Sequence, residues 1–339
     1  MRIVIIGSGL AGITFAEELL RLSPNHDILI VTRDSLGHYS RPMLSHGFSR
    51  DDIESKIILK SFEDLRKSGI EVQTGCMVKS IDRSEKRLIV EGAPTSPTIP
   101  YDHLVLAPGS SAHIPEPYHH MGIRPRVVNS LEDLKNLRSL RATSLALSNR
   151  PRWAVIGGGL IGCELASDMA KAGDGVTLFH PLPRLMERQL LEEDALKLEA
   201  VLDALGVELA LNTPVLDLEG KEPHIMVKTE NKILGPYTAA ILCAGFKPRI
   251  GLAKSAALKT DRGIVVDNFL STEDPAISAL GDAAECANGR IYAYVLPIRH
   301  QALWLARKLS GLEQAPWSAP EFSPRAKIHG FQAAHPYRT

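Results

Sequence analysis

The sequence is poor in aromatic residues, 5% of 339, and carries no surplus of charge: 39 Lys and Arg balance 39 Asp and Glu. The first scarcity argues against an aromatic-rich β-barrel. The second argues against a general nucleic-acid binder, whose footprint is basic. Only four cysteines occur, Cys76, Cys163, Cys243 and Cys286, widely spaced and without a C-x-x-C pair. Such spacing offers no metal-type pair and fits reduced thiols, so a cytoplasmic location is expected. The twelve histidines form no H-E-x-x-H or Cys/His cluster, and no metal is expected. No apolar run reaches the roughly 18 residues that span a bilayer. The apolar N-terminus is interrupted by glycine after six residues and reads as a first strand rather than a signal peptide.

Glycine, by contrast, is plentiful and placed. Gly7-Ser8-Gly9-Leu10-Ala11-Gly12 and Gly157-Gly158-Gly159-Leu160-Ile161-Gly162 begin 150 residues apart. Each follows an apolar strand (Ile3–Ile6; Trp153–Ile156) and opens a helical pattern. In that setting the first glycine allows the tight turn, the second lets a pyrophosphate approach the backbone, and the third lets helix pack on strand. The pyrophosphate then lies on the positive end of the helix, against the amides of residues such as Leu10, Ala11, Leu160 and Ile161. Two such motifs in one chain suggest two dinucleotides, and hence electron transfer between two cofactors.

The pattern around them predicts helices near 11–22, 61–68, 160–172, 191–205 and 300–310, with strands at 28–31, 70–72, 176–179, 207–211 and 239–244. The last strand is closed by Gly245, and Ala244 and Gly245 are assigned to the nucleotide. The expected fold is α/β, two Rossmann-like three-layer domains with a short C-terminal extension. An acid at the end of the second strand of such a unit binds a ribose. In the first unit that residue is Asp34; in the second the position holds His180. Basic residues concentrate at Arg138, Arg141, Arg150 and Arg152 and after Arg299, read as a solvated surface or a dock for an acidic partner.

Several further segments carry a resemblance. Tyr39-Ser40-Arg41-Pro42-Met43-Leu44-Ser45, Leu160-Ile161-Gly162-Cys163-Glu164, Arg262–Asp267, Leu280-Gly281-Asp282 and Tyr294-Val295-Leu296-Pro297 resemble the rubredoxin–NAD reductase and flavorubredoxin reductase branch of the FAD-dependent pyridine nucleotide oxidoreductases, over nearly all of residues 1–312. The resemblance implies tightly bound FAD on the N-terminal fingerprint and NADH, with NADPH an alternative, on the internal one. The implied domains are 1–117 and 246–312 for FAD, 118–245 for NAD(P)H, and 313–339 as a truncated interface segment; no oligomeric state follows.

By the same resemblance Asp282, beside Gly281, holds the flavin ribityl chain, and Ala107 and Gly109 stand in the family's A-T-G turn, with Pro108 replacing its threonine. Pro42 and Val295 line the flavin. Glu164, placed in the first helical turn, pairs with Arg41 near the flavin, and Lys327 lies at its pyrimidine edge. His46 stands where peroxidase-like relatives carry a cysteine and is read as a loop residue. Without a redox thiol, electrons leave to a small acidic one-electron carrier, rubredoxin or ferredoxin. A ferredoxin reductase of an oxygenase system, an NADH oxidase or diaphorase, and a flavin-binding regulatory protein remain as alternatives.

Overall fold

The computed structural model describes residues 1–92 and 96–338. The chain folds as two compact units, Met1–Ser40 with Ile58–Ser111 and Lys247–Phe322, and Arg41–Ile57 with Ala112–Phe246 and Ser323–Thr339.

The first unit is organised by a parallel sheet in the order Ile277–Ala279, His103–Leu106, Arg2–Ile6, Asp27–Val31, Glu71–Gln73. Strands His103–Leu106 and Ile277–Ala279 are buried throughout, as are Ile3–Ile6 and Ile28–Val31. Continuous apolar runs of this kind belong to strands covered on both faces, whereas half-exposed strands alternate. Alternation is what Arg87–Glu91 shows, in the antiparallel sheet Met77–Asp82, Arg87–Glu91, Thr98–Pro100. Helix Leu10–Leu22 packs against helix Val295–Leu309. The latter starts before the expected residue 300, because Pro297 lies in its first turn, where a missing N–H leaves no helical bond unmade.

The second unit repeats the scheme. Its parallel sheet runs Val207–Ala210, Gly175–Phe179, Arg152–Ile156, Ala239–Leu242, and its antiparallel sheet is Asp217–Lys221, His224–Lys228, Ile233–Tyr237. Helix Leu131–Ala146 was not expected from periodicity. Its buried apolar positions, Leu131, Leu134 and Leu137, occupy only the first half. The signal that marks it is the capping box: Ser130 Oγ accepts from the Asp133 amide while the Asp133 carboxylate accepts from the Ser130 amide. The basic stretch on and after this helix is largely spent internally. Arg138 bonds Glu54 and the carbonyls of Gly47, Arg50 and Asp51, Arg141 pairs with Asp174, and Arg150 donates to the Gly173 and Asp174 carbonyls.

Two segments fall differently from the sequence reading. Residues 41–57, and 323–339 of the C-terminal segment, belong to the second unit. The C-terminal stretch forms no helix or strand among its described residues, yet its amides are anchored: Lys327 N to Glu164, His329 N to Ser167, Ala334 N and His335 N to Asp194. Asp194 is buried and its carboxyl is held at about 2, chiefly by the Ala334 amide. Hydrogen bonds, rather than periodic apolar positions, fix this segment, so its sequence showed no pattern.

His103, buried in its strand with Nε2 3.0 Å from Ser278 Oγ, has an imidazole pushed down to about 4, first by burial and then by Lys308. The unfolded chain therefore binds a proton more readily than the folded one. The neutral ring's contribution is complete above the ordinary 6.5 and is lost as pH falls towards 4. A shift of this size corresponds to roughly 3 kcal/mol. Thermal melts from pH 7 to 4 are expected to show a steeper loss for the wild type than for His103→Gln; equal slopes would remove His103 from the acid response.

Candidate functional site

In the first unit the strand Arg2–Ile6 ends at Gly7, whose φ of +110° L side chains rarely adopt. Its N–H donates to the Val31 carbonyl at 2.9 Å. A Cβ at Gly7 would run into the Ala107 carbonyl, and one at Gly12 into the Gly7 carbonyl. Gly9 is different: a Cβ there would meet nothing within 4 Å. Gly9 is also the N-cap of helix Leu10–Leu22, which has no side-chain cap and no acid in its first turn. The leading amides, including those of Leu10 and Ala11, thus have no side-chain cap, and the space over Gly9 is open, the arrangement in which a helix N-terminus can take an anion.

Asp34, Ala107 and Gly281 border the same turn, and the other assigned residues of the first unit lie on its neighbouring segments. Asp34 is half-buried, its amide bonded to Thr32 Oγ1 at 3.1 Å and its Oδ2 3.4 Å from Ser8 Oγ. Ala107-Pro108-Gly109 closes strand His103–Leu106 with Gly109 at φ +69°. Pro108, lacking the hydroxyl of the family turn, presents its carbonyl to Arg249 Nη1 at 2.8 Å. Gly281, at φ +71°, donates to Oε1 of the fully buried Gln301. Asp282 follows it, and its Oδ2 accepts from Ser110 Oγ at 2.7 Å. Val295 opens the last helix and is half-exposed.

The second unit reproduces this cradle. Gly157 has φ +115°, its Cβ would strike the Cys243 carbonyl, and one at Gly162 would strike Gly157. Gly159 is open like Gly9 and caps helix Leu160–Lys171, again without a side-chain cap or a first-turn acid. Strand Ala239–Leu242 ends in Cys243-Ala244-Gly245, with Gly245 at φ +93°, the counterpart of Ala107-Pro108-Gly109. Ile161, Val128, Leu242 and Gly245 line a small recess. His180 closes strand Gly175–Phe179, buried, with its Nδ1 accepting from the Gly158 amide.

Glu164 is the fifth residue of its helix, so it stands in the second turn and not the first. It is 2% exposed, and its oxygens accept from Ser45 Oγ at 2.6 Å and the Lys327 amide at 2.8 Å. The cation set against it is Lys327, Nζ 3.8 Å away and donating to the Pro42 carbonyl at 2.7 Å. The expected partner, Arg41, sends Nη1 to the Asn129 carbonyl at 2.6 Å. Lys327 of the C-terminal segment thus sets both its amide and its ammonium against this carboxylate, and the 39–45 loop contributes the Ser45 hydroxyl.

One turn on, at i+4, sequence reasoning missed Asp168, fully buried on the same helix face. It accepts from the Phe48 and Ser49 amides, Ser49 Oγ and His329 Nε2. His46 is packed rather than loose: it stacks edge-on against His329 and lies 3.7 Å from Asp168. Burial lowers its basicity despite the neighbouring Asp168 and Glu164. His46, Asp168 and His329 bring ligand-type atoms within 4.8 Å of one another. The four donors already on Asp168, and Lys171 against His329 Nδ1, make Asp168 and His329 a hydrogen-bonded brace joining loop 41–57, the helix and the C-terminal segment, with His46 packed against it and its Nε2 buried without a hydrogen bond.

The thiols do not compensate for the absent redox pair. Cys76, Cys163 and Cys286 are buried and Cys243 half-buried, and burial raises the pKa of all four, so none is a ready thiolate. Among the described residues no helix is long and apolar enough to cross a membrane.

Comparison with known proteins agrees with this architecture. Residues 1–306 match the pyridine nucleotide-disulphide oxidoreductase family. The chain is 33% identical over 312 residues to a nitric oxide reductase FlRd-NAD(+) reductase of Vibrio vulnificus, covering 92% of this chain and 79% of that one. It is 33% identical over 311 residues to a rubredoxin-NAD(+) reductase of Alcanivorax borkumensis, covering 91% and 78%. Among solved structures, the covalent putidaredoxin reductase–putidaredoxin complex aligns with a TM-score of 0.83 at 25% identity, over 97% of this chain and 79% of that one. With a parallel sheet and a glycine cradle in each half and a family match over residues 1–306, the chain belongs to the pyridine nucleotide-disulphide oxidoreductases.

Proposed function

We propose that this oxidoreductase holds FAD on the Gly7–Gly12 turn and NADH on the Gly157–Gly162 turn, and that its electrons go to a small acidic one-electron iron carrier, rubredoxin foremost. The observation that supports this most is the duplicated cradle: in each unit two glycines are packed against backbone, while the middle one, Gly9 or Gly159, faces open space at an uncapped helix end. When bound, the flavin supplies the conversion between a hydride donor and a one-electron acceptor.

The chain's own residues bind and orient. Leu10 and Ala11, and in the other unit Leu160 and Ile161, offer amides to the two pyrophosphates. Asp34 accepts hydroxyls of the flavin's adenosine ribose, and Asp282, fixed by Ser110, accepts those of the ribityl chain. Ala107, Gly109, Gly281 and Val295 complete the flavin site; His180, Ala244 and Gly245 complete that of the nicotinamide dinucleotide. Arg41, Pro42, Glu164 and Lys327 are assigned to the flavin by resemblance, with the Glu164–Lys327 pair acting electrostatically. The elevated thiol pKa values favour exit to a separate carrier over a protein dithiol, as do relatives named for rubredoxin and flavorubredoxin reduction.

Protein reduced with NADH is expected to reduce rubredoxin faster than it reduces ferredoxin or oxygen. Reaction with oxygen faster than with either iron protein would replace this reading with an oxidase. Glu164→Gln can still accept from the Lys327 amide and can donate to Ser45 Oγ in a reversed bond, but it removes the charge facing Lys327. It is expected to slow flavin reduction in stopped flow by about tenfold, equivalent to 1.4 kcal/mol of barrier, with flavin content retained; an unaltered rate would remove Glu164 from the reaction.

A further inference from the structure

The second unit has no acid at the end of strand Gly175–Phe179, where a carboxylate would accept the 2′-hydroxyl of an adenosine ribose. His180 occupies that place, and its geometry shows what takes over. The Gly158 amide donates to His180 Nδ1 at 3.0 Å. A ring nitrogen that accepts carries no proton, so the proton of the neutral ring is on Nε2. That N–H points to Glu187 Oε2, 3.2 Å away. Glu187 sits on the loop after the strand, and this loop folds back over the fingerprint: Met186 N donates to the Gly158 carbonyl at 2.8 Å, and Leu185 and the His180 ring fill the space beside Gly158.

Glu187 is thereby held next to the strand end with one oxygen committed to His180. The other, Oε1, is 3.7 Å from Arg188, whose side chain is 86% exposed. The nearby cations are already opposed by acids. Arg184 lies 3.8 Å from Glu192 and donates to the Glu187 carbonyl, and Arg188 faces Glu187 itself. Each arginine of the loop thus faces an acid, and the Glu187 carboxylate stands beside the strand-end residue His180.

We propose that Glu187, oriented by neutral His180, accepts the adenosine ribose hydroxyl in place of the missing strand-end acid and makes the protein selective for NADH over NADPH. The proposal rests on the reading of the Gly157–Gly162 turn as the nicotinamide dinucleotide site. Glu187 would touch the nucleotide; His180 is a positioning residue.

The test is calorimetric titration of the full-length, flavin-loaded protein with ADP-ribose and with 2′-phospho-ADP-ribose, which need no turnover. Wild type is expected to bind ADP-ribose at least about tenfold more tightly, since apposed like charges disfavour a ligand by this much or more. Glu187→Gln can still accept a hydroxyl but no longer repels phosphate; it should hold ADP-ribose within about threefold and shrink the preference by about tenfold. His180→Asn, which can accept from Gly158 but releases Glu187, should shift the preference the same way. An unchanged ratio in Glu187→Gln would overturn the inference while leaving the nucleotide site standing. Failure of wild type to bind either probe would overturn that reading, and this one with it.

Discussion

Gly159→Ala is expected to give a folded, yellow protein that NADH reduces poorly. The residue has φ −81° and ψ −174°, extended backbone open to any side chain, and its Cβ would meet no protein atom within 4 Å. Replacing a glycine N-cap by alanine costs a helix about 1 kcal/mol at most, too little to unfold the unit. The methyl group would instead occupy the space through which a pyrophosphate approaches the amides of Leu160 and Ile161. Crowding of one methyl is worth 1–3 kcal/mol, so the KM for NADH should rise roughly 10- to 100-fold. Flavin content should not change, because the turn proposed to hold FAD is in the other unit. Steady-state kinetics beside an absorption spectrum would check it; an unchanged KM would mean that no pyrophosphate passes over Gly159.

The matching substitution in the first unit, Gly9→Ala, is expected to fail in the other way. Gly9 has φ −75° and ψ −175° and equally open surroundings. Purified Gly9→Ala should therefore melt close to flavin-free wild type but lose most of its flavin, with an affinity for added FAD lower by roughly 10- to 100-fold. Gly12 and Gly162 provide the contrast. Alanine at either would press on the Gly7 or Gly157 carbonyl inside the protein, so stability, and not only ligand binding, should suffer. Retention of flavin by Gly9→Ala at wild-type affinity would show that the first turn does not hold the cofactor.

These contrasts also show what could be read in advance. The fingerprints were legible because their glycines answer to local constraints: a positive φ, a carbonyl in contact, an open approach. The parallel strands were legible because burial on both faces demands continuous apolar runs such as Ile3–Ile6 and Trp153–Ile156. Helix Leu131–Ala146 was missed because its buried leucines stop halfway, and the Ser130–Asp133 capping box was its remaining sign. The Lys327 contact to Glu164 was hidden for a different reason. Arg41 and Lys327 are both cations in segments without periodicity, and which one reaches a buried carboxylate depends on tertiary hydrogen bonds, here the Lys327 amide to Glu164 and its ammonium to Pro42. Asp168 had a sign, its i+4 spacing from Glu164, but its importance comes from donors at Phe48, Ser49 and His329, far away in sequence.

Much of the second unit's cohesion depends on these buried acids. Glu164, Asp168 and Asp194 each accept bonds from the 323–339 segment, and Glu164 and Asp168 also from the 41–57 loop. A buried carboxylate needs such donors, since an unpaired one is strongly destabilising. The same groups that satisfy Glu164 therefore hold in place the segments to which the resemblance assigns flavin contacts.

In the proposed function one polypeptide holds a flavin and receives hydride for it from a nicotinamide nucleotide. Anaerobic titration of the purified protein with NADH, followed in the visible flavin bands, tests it most directly. A yellow protein bleached by one equivalent of NADH per flavin is expected; a colourless protein that takes up no added FAD, or a yellow one that excess NADH leaves oxidised, would rule the proposed function out.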